Sequence, residues 1–129
     1  MAAITATKRQ ECVVPGGRII QFYGTSASNQ ADTLTTGAVP DGKAWRLLYV
    51  TVAYDGAATY TGTALTVATD HGVDAIYDTT LASGTDNTRY TVYTPGSEIW
   101  LIDGDAVIVS VPAGGAGREA SVTVTFFAK

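Results

Sequence analysis

A strict alternation of side chains near the C-terminus constrains the fold more than any other feature. In residues 120–127, Ala, Val, Val and Phe alternate with Ser, Thr, Thr and Phe. A period of two puts neighbouring side chains on opposite faces of a β-strand, so one face packs into a core and the other is largely hydroxylated. Residues 105–111 repeat the pattern with three valines, and the glycine-rich segment 112–117 joins the two strands. We expect the pair to form a hairpin.

Shorter strand patterns recur through the rest of the chain, separated by turn-forming pairs such as Asp41-Gly42 and Pro95-Gly96. Together they give about eight strands and no helix long enough for a crossover. The sequence therefore predicts an all-β fold, an antiparallel β-sandwich of jelly-roll type, with an immunoglobulin-like sandwich as the alternative. The remaining strand segments are residues 18–23, 44–54, 63–69, 73–77, 88–93 and 98–102.

Composition excludes several classes of protein. The chain has 20 Thr and 13 Val, and charged residues make up only 16% of it. β-Branched residues favour strands, so a helical bundle is excluded. The net charge is −4 and the only adjacent basic pair is Lys8-Arg9, so no nucleic-acid partner is expected. No segment has the pattern of a signal peptide or of a membrane span, so no membrane partner is expected either.

Two segments fit poorly into a compact sandwich. Residues 1–16 carry scattered apolar side chains in a polar stretch, and we expect them to form an extended N-terminal arm in front of a β-sandwich domain over 17–129. Residues 24–43 form a connection that is long for a compact domain. Such a loop is either functional or contains an additional strand, which would lie around residues 33–39.

The residue types that act as catalysts in enzymes do not form a recognisable catalytic pattern in this sequence. The only histidine, His71, stands between Asp70 and Asp74, in a pattern typical of a polar turn. The pair Asp103 and Asp105 flanks a glycine and is typical of a turn that starts a hairpin. The glycines at 114–117 precede a strand, whereas phosphate-binding loops open a helix. We expect no catalytic, cofactor or metal site and therefore no enzyme.

An interface is predicted from the longest strand and the arm. If Leu48, Val50 and Val52 face the core, the alternation leaves the other apolar residues of residues 44–54 on the outer face. Cys12, the only cysteine, is expected to be an inert thiol, and no disulfide can form within the chain. The predicted interface residues are Ile4, Val13, Val14, Trp45, Leu47 and Tyr49.

The order of features over residues 17–129 resembles small structural proteins of tailed bacteriophages. The resemblance rests on the strand at 44–54, the Tyr-Thr-Pro-Gly-Ser-Glu-Ile-Trp segment at 93–100, the Val/Ile strand within 101–111, and the final Val-Thr-Val strand. It is greatest to jelly-roll head-decoration (cement) proteins, followed by small tail or head-fibre proteins. It implies an oligomer, with a trimer favoured, that binds the major capsid protein.

These expectations combine into one functional hypothesis. The chain is expected to be a non-enzymatic virion protein without cofactors, made in the host cytoplasm, that binds the outside of a phage capsid and stabilises it. The scarcity of Lys on the sheet edges supports a covered surface, since exposed edges invite uncontrolled pairing. The alternatives are a tail or head-fibre protein and a carbohydrate-binding β-sandwich used in attachment.

Overall fold

A computed structural model describes residues 2–27, 29–59, 65–71, 74–82, 87–96 and 98–129, and within these ranges it contains 11 strands. No helix in the described part of the chain is long and apolar enough to cross a membrane. The strands are β1 (Ala2–Thr5), β2 (Thr7–Val14), β3 (Gly17–Thr25), β4 (Asp32–Thr35), β5 (Trp45–Thr59), β6 (Leu65–His71), β7 (Asp74–Ala82), β8 (Asn87–Tyr93), β9 (Trp100–Leu101), β10 (Ala106–Val111) and β11 (Ala120–Ala128).

The strands form two sheets, as the alternating sequence pattern predicts. The first sheet has the order β1-β4-β10-β6-β7, and the second has the order β2-β3-β11-β5-β8, with β9 also paired to β5. Without the N-terminal strands, these orders become β4-β10-β6-β7 and β3-β11-β5-β8, which is the strand order of an eight-stranded jelly roll. The predicted all-β sandwich is therefore confirmed. The three additional strands are β1, β2 and β9.

The core lies between the two sheets and is built from alternate residues of each strand. The first sheet contributes the fully buried Val107, Val109 and Val111 of β10, and the second contributes every other residue of β11 from Ala120 to Ala128. Three aromatic rings meet at one end of this core. Trp45 lies 5.9 Å from Phe22 and 5.2 Å from Phe126, measured between ring centroids.

The predicted hairpin between the last two long strands is wrong. β10 pairs with β4 and β6 in the first sheet, whereas β11 pairs with β3 and β5 in the second. The glycine-rich segment 112–119 therefore crosses from one sheet to the other. The physical reason is that each strand has one apolar face. In opposite sheets the two apolar faces can bury each other, whereas two neighbours in one sheet both need a second sheet to cover them.

The predicted faces of β5 are also partly wrong. Val50 and Val52 face the core as expected, but Trp45 and Leu47 are buried there too. Between Tyr49, opposite Thr125, and Leu47, opposite Phe126, the strand has one extra residue. This β-bulge reverses the alternation. Side chains alternate between the two faces before Leu48 and after it, but the alternation shifts by one residue at Leu48 itself.

The N-terminal segment, predicted as an arm over residues 1–16, joins both sheets within its described part. β1 pairs in parallel with β4 at the edge of the first sheet, and β2 pairs with β3 at the edge of the second. Ala6 alone connects these two strands. The predicted domain boundary at residue 17 therefore falls inside the β2–β3 hairpin. The polar composition of the segment reflects edge strands, which have one neighbour and more solvent contact than central strands.

The long connection at residues 24–43 contains an additional strand, which is one of the two explanations predicted for its length. β4 occupies Asp32–Thr35, which overlaps the predicted range of 33–39 at its beginning. The buried Leu34 is opposite the buried Val109, so β4 contributes a side chain to the core from the first sheet. Residues 36–43 that follow are a loop, which lies against the start of β10.

We predict that Leu47→Ala lowers the free energy of unfolding by about 2–5 kcal/mol, because it leaves a cavity in the core. Leu48→Ala, the control at the bulge, removes a half-buried side chain and should cost roughly 1 kcal/mol. Urea denaturation of both variants measures the difference. Equal losses, or a greater loss for Leu48→Ala, would contradict the reversal of faces at the bulge.

Candidate functional site

The two aspartates of the Asp-Gly-Asp segment have structural roles. Asp103 Oδ1 accepts a hydrogen bond from the Gly42 N–H at 2.8 Å, and the buried Asp105 Oδ2 accepts one from the Ile102 N–H at 2.9 Å. Gly104 between them has φ of +82°, a left-handed conformation that suits glycine. The predicted turn is therefore confirmed, but it does not start the predicted hairpin, because β10 pairs with β4 and β6 and not with β11.

The only histidine lies where the antiparallel strands β6 and β7 meet. The backbone of His71 pairs with that of Asp74, while Gly72 and Val73 lie outside the described residues. The backbone therefore places His71 at the end of β6, opposite the first residue of β7. In the parts of the chain that the structure describes, no three His, Cys, Asp or Glu residues come together to hold a metal ion.

The glycine-rich segment after β10 is a packed crossing between the sheets. The Tyr54 hydroxyl donates a hydrogen bond of 2.7 Å to the Pro112 carbonyl inside the protein. Gly114 lies against the same tyrosine ring, where an added Cβ would come within 2.6 Å of a ring carbon. The following residues enter β11 and no helix begins there. The prediction that a strand follows these glycines is therefore confirmed.

The outer face of the second sheet is the first candidate binding surface. Register across β3, β11 and β5 aligns its side chains in four rows, in which Gln21, Thr125 and Tyr49 form one row and Tyr23, Thr123 and Thr51 form the next. We call this surface the tyrosine face. Its members are Ile19, Gln21, Tyr23, Thr25, Arg46, Tyr49, Thr51, Ala53, Ser121, Thr123, Thr125 and Phe127.

The tyrosine face is polar but almost free of charge. Gln21 Nε2 donates hydrogen bonds to Thr125 Oγ1 at 3.2 Å and to Tyr49 Oη at 3.4 Å, which holds the amide in the plane of the face. Arg46 is its only charged member, and it forms an ion pair of 3.3 Å with Glu98. Such a surface can contact a partner without removing many charges from water.

Exposed apolar side chains lie on the tyrosine face and beside it. Tyr23 retains 38% of its accessible surface, Trp100 retains 38% and Val92 retains 51%. Trp100 lies beside Arg46 through the short pairing of β9 with β5, and Val92 lies opposite Thr51 on β8. Trp100 and Val92 extend the face toward the β8 edge of the sheet, and Tyr23 gives it an exposed aromatic ring on β3.

A groove at the other edge of the second sheet is the second candidate. It has a volume of about 380 Å³ and lies beneath the β2–β3 hairpin. Aromatic and aliphatic side chains form its floor, and three of the chain's eight Lys and Arg residues stand around it. We call it the basic groove. Its lining residues are Lys8, Glu11, Arg18, Ile20, Phe22, Pro40, Lys43 and Trp45.

The predicted interface residues separate into three groups. Trp45 and Leu47 belong to the core, and Ile4 is partly buried against it. Tyr49 is half-buried on the tyrosine face, and Val14 is half-buried at the end of β2. Val13 is 82% exposed. The structure therefore does not bring these six residues into one surface, although Tyr49 is on the tyrosine face, and Val13 lies opposite Arg18 on the hairpin that borders the basic groove.

The sequence carries a weak signal for the tyrosine face and none for the basic groove. Gln21 and Tyr23 alternate with the buried Ile20 and Phe22, so a period of two already placed them on an outer face. The basic groove had no such signal, because Lys8, Arg18 and Lys43 come from β2, β3 and a loop. Cys12 is exposed on β2 and is not part of either site.

Comparisons with known proteins assign no family. No protein-family model and no curated protein matches the sequence. Among solved structures, similarity is found to PliG of Aeromonas hydrophila, a periplasmic inhibitor of g-type lysozyme, with 9% identity, coverage of 99% of this chain and 96% of that chain, and a TM-score of 0.36. A structure described as "CBM4 structure and function" matches with 12% identity, coverage of 96% and 78%, and a TM-score of 0.39. At these values neither match assigns a function.

We predict that Asp105→Ala lowers the free energy of unfolding by about 1–3 kcal/mol, because it leaves the Ile102 N–H without its acceptor in a half-buried turn. Asp103→Ala removes an exposed hydrogen bond and should cost less, roughly 0.5–1 kcal/mol. Thermal unfolding of both variants is the measurement. A folded Asp105→Ala protein of undiminished stability would contradict the structural role.

Proposed function

We propose that this chain is a non-enzymatic structural protein of a phage particle, which binds the outside of the capsid as an oligomer through the tyrosine face and stabilises the shell. The observation that carries the proposal is the distribution of charge. Arg46 is the only charged member of the tyrosine face. On the first sheet, the described outward side chains of β4 and β10, such as Thr35, Ile108 and Ser110, are uncharged too.

The described charged side chains lie mainly at strand ends and in loops. Asp41 and Lys43 are in the loop after β4, Asp103 is in the turn before β10, and Glu119 precedes β11. A small soluble domain usually intersperses charges over its whole surface, at roughly 25–35% of exposed positions. Sheet faces that carry Thr, Ser and Tyr instead are suited to being covered. This supports a role in an assembly.

The choice of a protein partner follows from the mixture of side chains. Tyrosine, threonine and aliphatic residues together give contact area with a small cost of desolvation, and tyrosine is enriched at protein interfaces. Exposed Tyr23 and Val92 offer apolar area next to the hydroxyls of Thr51 and Thr123. Additional copies of this chain and the major capsid protein are the partners proposed, in agreement with the resemblance to head-decoration proteins.

We predict that Thr123→Lys abolishes oligomer formation and binding to phage heads, because it puts an unpaired charge at the centre of the covered face. Ala116→Lys is the matched control, since it adds the same charge at an exposed turn position of the crossing segment, outside both sheet faces, and should leave assembly unchanged. Multi-angle light scattering against the chain mass of 13.4 kDa and co-sedimentation with purified heads are the measurements. A monomeric wild-type protein that stays in the supernatant would overturn the proposal.

A carbohydrate-binding role is the second candidate, and the row of Gln21, Thr125 and Tyr49 favours it. An amide held by two hydroxyl groups next to the exposed Tyr23 combines hydrogen-bonding groups with an aromatic ring. Sugar recognition needs both, because the ring packs on the apolar face of a sugar while the polar groups bind its hydroxyls.

We predict for this candidate that a glycan array gives a saturable signal and that Tyr23→Ala weakens it about tenfold, the loss expected for one aromatic contact of roughly 1–1.5 kcal/mol. Tyr54→Phe, which changes a buried tyrosine without altering the face, serves as the control. An array without any signal, together with oligomers that bind heads, would exclude the carbohydrate role.

A further inference from the structure

The β2–β3 hairpin extends beyond the part of the first sheet that faces it. β1 and β4 end together, with Thr5 opposite Thr35. After Thr35 the chain continues as the loop of residues 36–43. The hairpin continues from Thr7 to its turn at residues 15 and 16, and the first sheet, as far as the structure describes it, places no strand against the inner face of its far half. Val13, which lies opposite Arg18 on this hairpin, keeps 82% of its accessible surface.

The loop of residues 36–43 forms the opposite wall of the basic groove and is held firmly. The Val39 N–H donates to the Asp105 carbonyl at 2.9 Å, and the Gly104 N–H donates back to the Val39 carbonyl at 2.9 Å. The Gly42 N–H is bound to the Asp103 carboxylate. These hydrogen bonds fix Pro40 and Lys43 before any ligand arrives, so binding requires little ordering of the loop.

The floor of the basic groove is the aromatic end of the core. Phe22 and Trp45 are each only 7% exposed, so they offer narrow apolar edges rather than open ring faces. Ile20 and Pro40 complete this floor. A volume of about 380 Å³ is within the range of pockets that enclose a small ligand or one or two side chains of a partner.

The charges around the groove are unbalanced. Lys8, Arg18 and Lys43 stand against the single carboxylate of Glu11. Glu11 binds both Lys8, at 3.2 Å, and Arg18, at 2.8 Å, and each of these cations retains further N–H donors. In a chain with a net charge of −4, this concentration of cations around an apolar floor favours a ligand that carries negative charges beside an apolar group.

We propose that the basic groove binds an extended acidic segment of a partner protein, in which carboxylate side chains contact Lys8, Arg18 and Lys43 while an aliphatic side chain contacts the apolar floor. The exposed Val13 continues the apolar surface along the hairpin, as a segment with repeated aliphatic side chains requires. An acidic sugar would need an open ring to stack on, and the rings of Phe22 and Trp45 are turned into the core. This proposal is independent of the tyrosine face and of the capsid.

The test uses two short synthetic peptides with the full-length protein. In one peptide Asp and Leu alternate, and in the other Lys and Leu alternate. We expect the acidic peptide to bind in a calorimetric titration, to weaken when salt is raised to about 0.5 M, and to shift the amide resonances of β2, β3 and residues 40–43. The basic peptide should not bind.

Two substitutions locate the binding. Lys43→Gln should raise the Kd of the acidic peptide about two- to fivefold, and the double variant with Lys8→Gln should raise it further by a similar factor. Arg46→Gln is the matched control, because it removes one positive charge from the tyrosine face and should leave the Kd unchanged. All of these side chains are at the surface, so the variants are expected to fold.

Three outcomes would overturn the proposal. The first is no binding of the acidic peptide at about 1 mM, a concentration at which even a weak specific site is occupied. The second is an equal effect of Arg46→Gln and Lys43→Gln, which would indicate attraction without a site. The third is tighter binding of an oligogalacturonate than of the peptide. Head binding and oligomer formation by the same protein are measured separately, so a failure here leaves the proposed function standing.

Discussion

The sandwich depends on burying one apolar face of each sheet against the other. β10 and β11 supply the centre of this contact, since each is paired on both sides and each carries alternating buried residues. The aliphatic side chains are small, so many of them are needed, and burial of about 25 cal/mol per Å² of apolar surface accumulates over the whole length of the strands. The chain has a single cysteine, so this burial stabilises the fold without a disulfide within the chain.

The sequence predicted the features that follow from local alternation, and it did not predict those that depend on partners far along the chain. β3, β5, β10 and β11 carry a period of two or an apolar run, and they are strands. Which strands share a sheet depends on long-range packing, so the β10–β11 connection was predicted as a hairpin although it crosses the sandwich. The bulge at Leu48 shows the same limit. Nothing within residues 44–54 marks an extra residue, because it is defined only by the register with β11.

The candidate sites differ in the same way. The tyrosine face belongs to continuous strands, so its members could be read from alternation once the inner face was known. The basic groove combines Lys8, Arg18 and Lys43 from three separate elements, and only the fold brings them together. The expected arm over residues 1–16 obscured this groove, because β2 had to be part of the sheet before its inward side chains could line anything.

The position of β11 between β3 and β5 determines when the second sheet can form. Residues 18–25 pair with residues 121–128, so about a hundred residues must be synthesised between the two partners of one ladder. Contacts of such long range fold slowly, since the chain loses loop entropy before they form. Until β11 emerges from the ribosome, β3 and β5 have unpaired edges that other chains can bind. Rapid synthesis of many copies would therefore favour aggregation, and slow synthesis or a chaperone should raise the yield of folded protein.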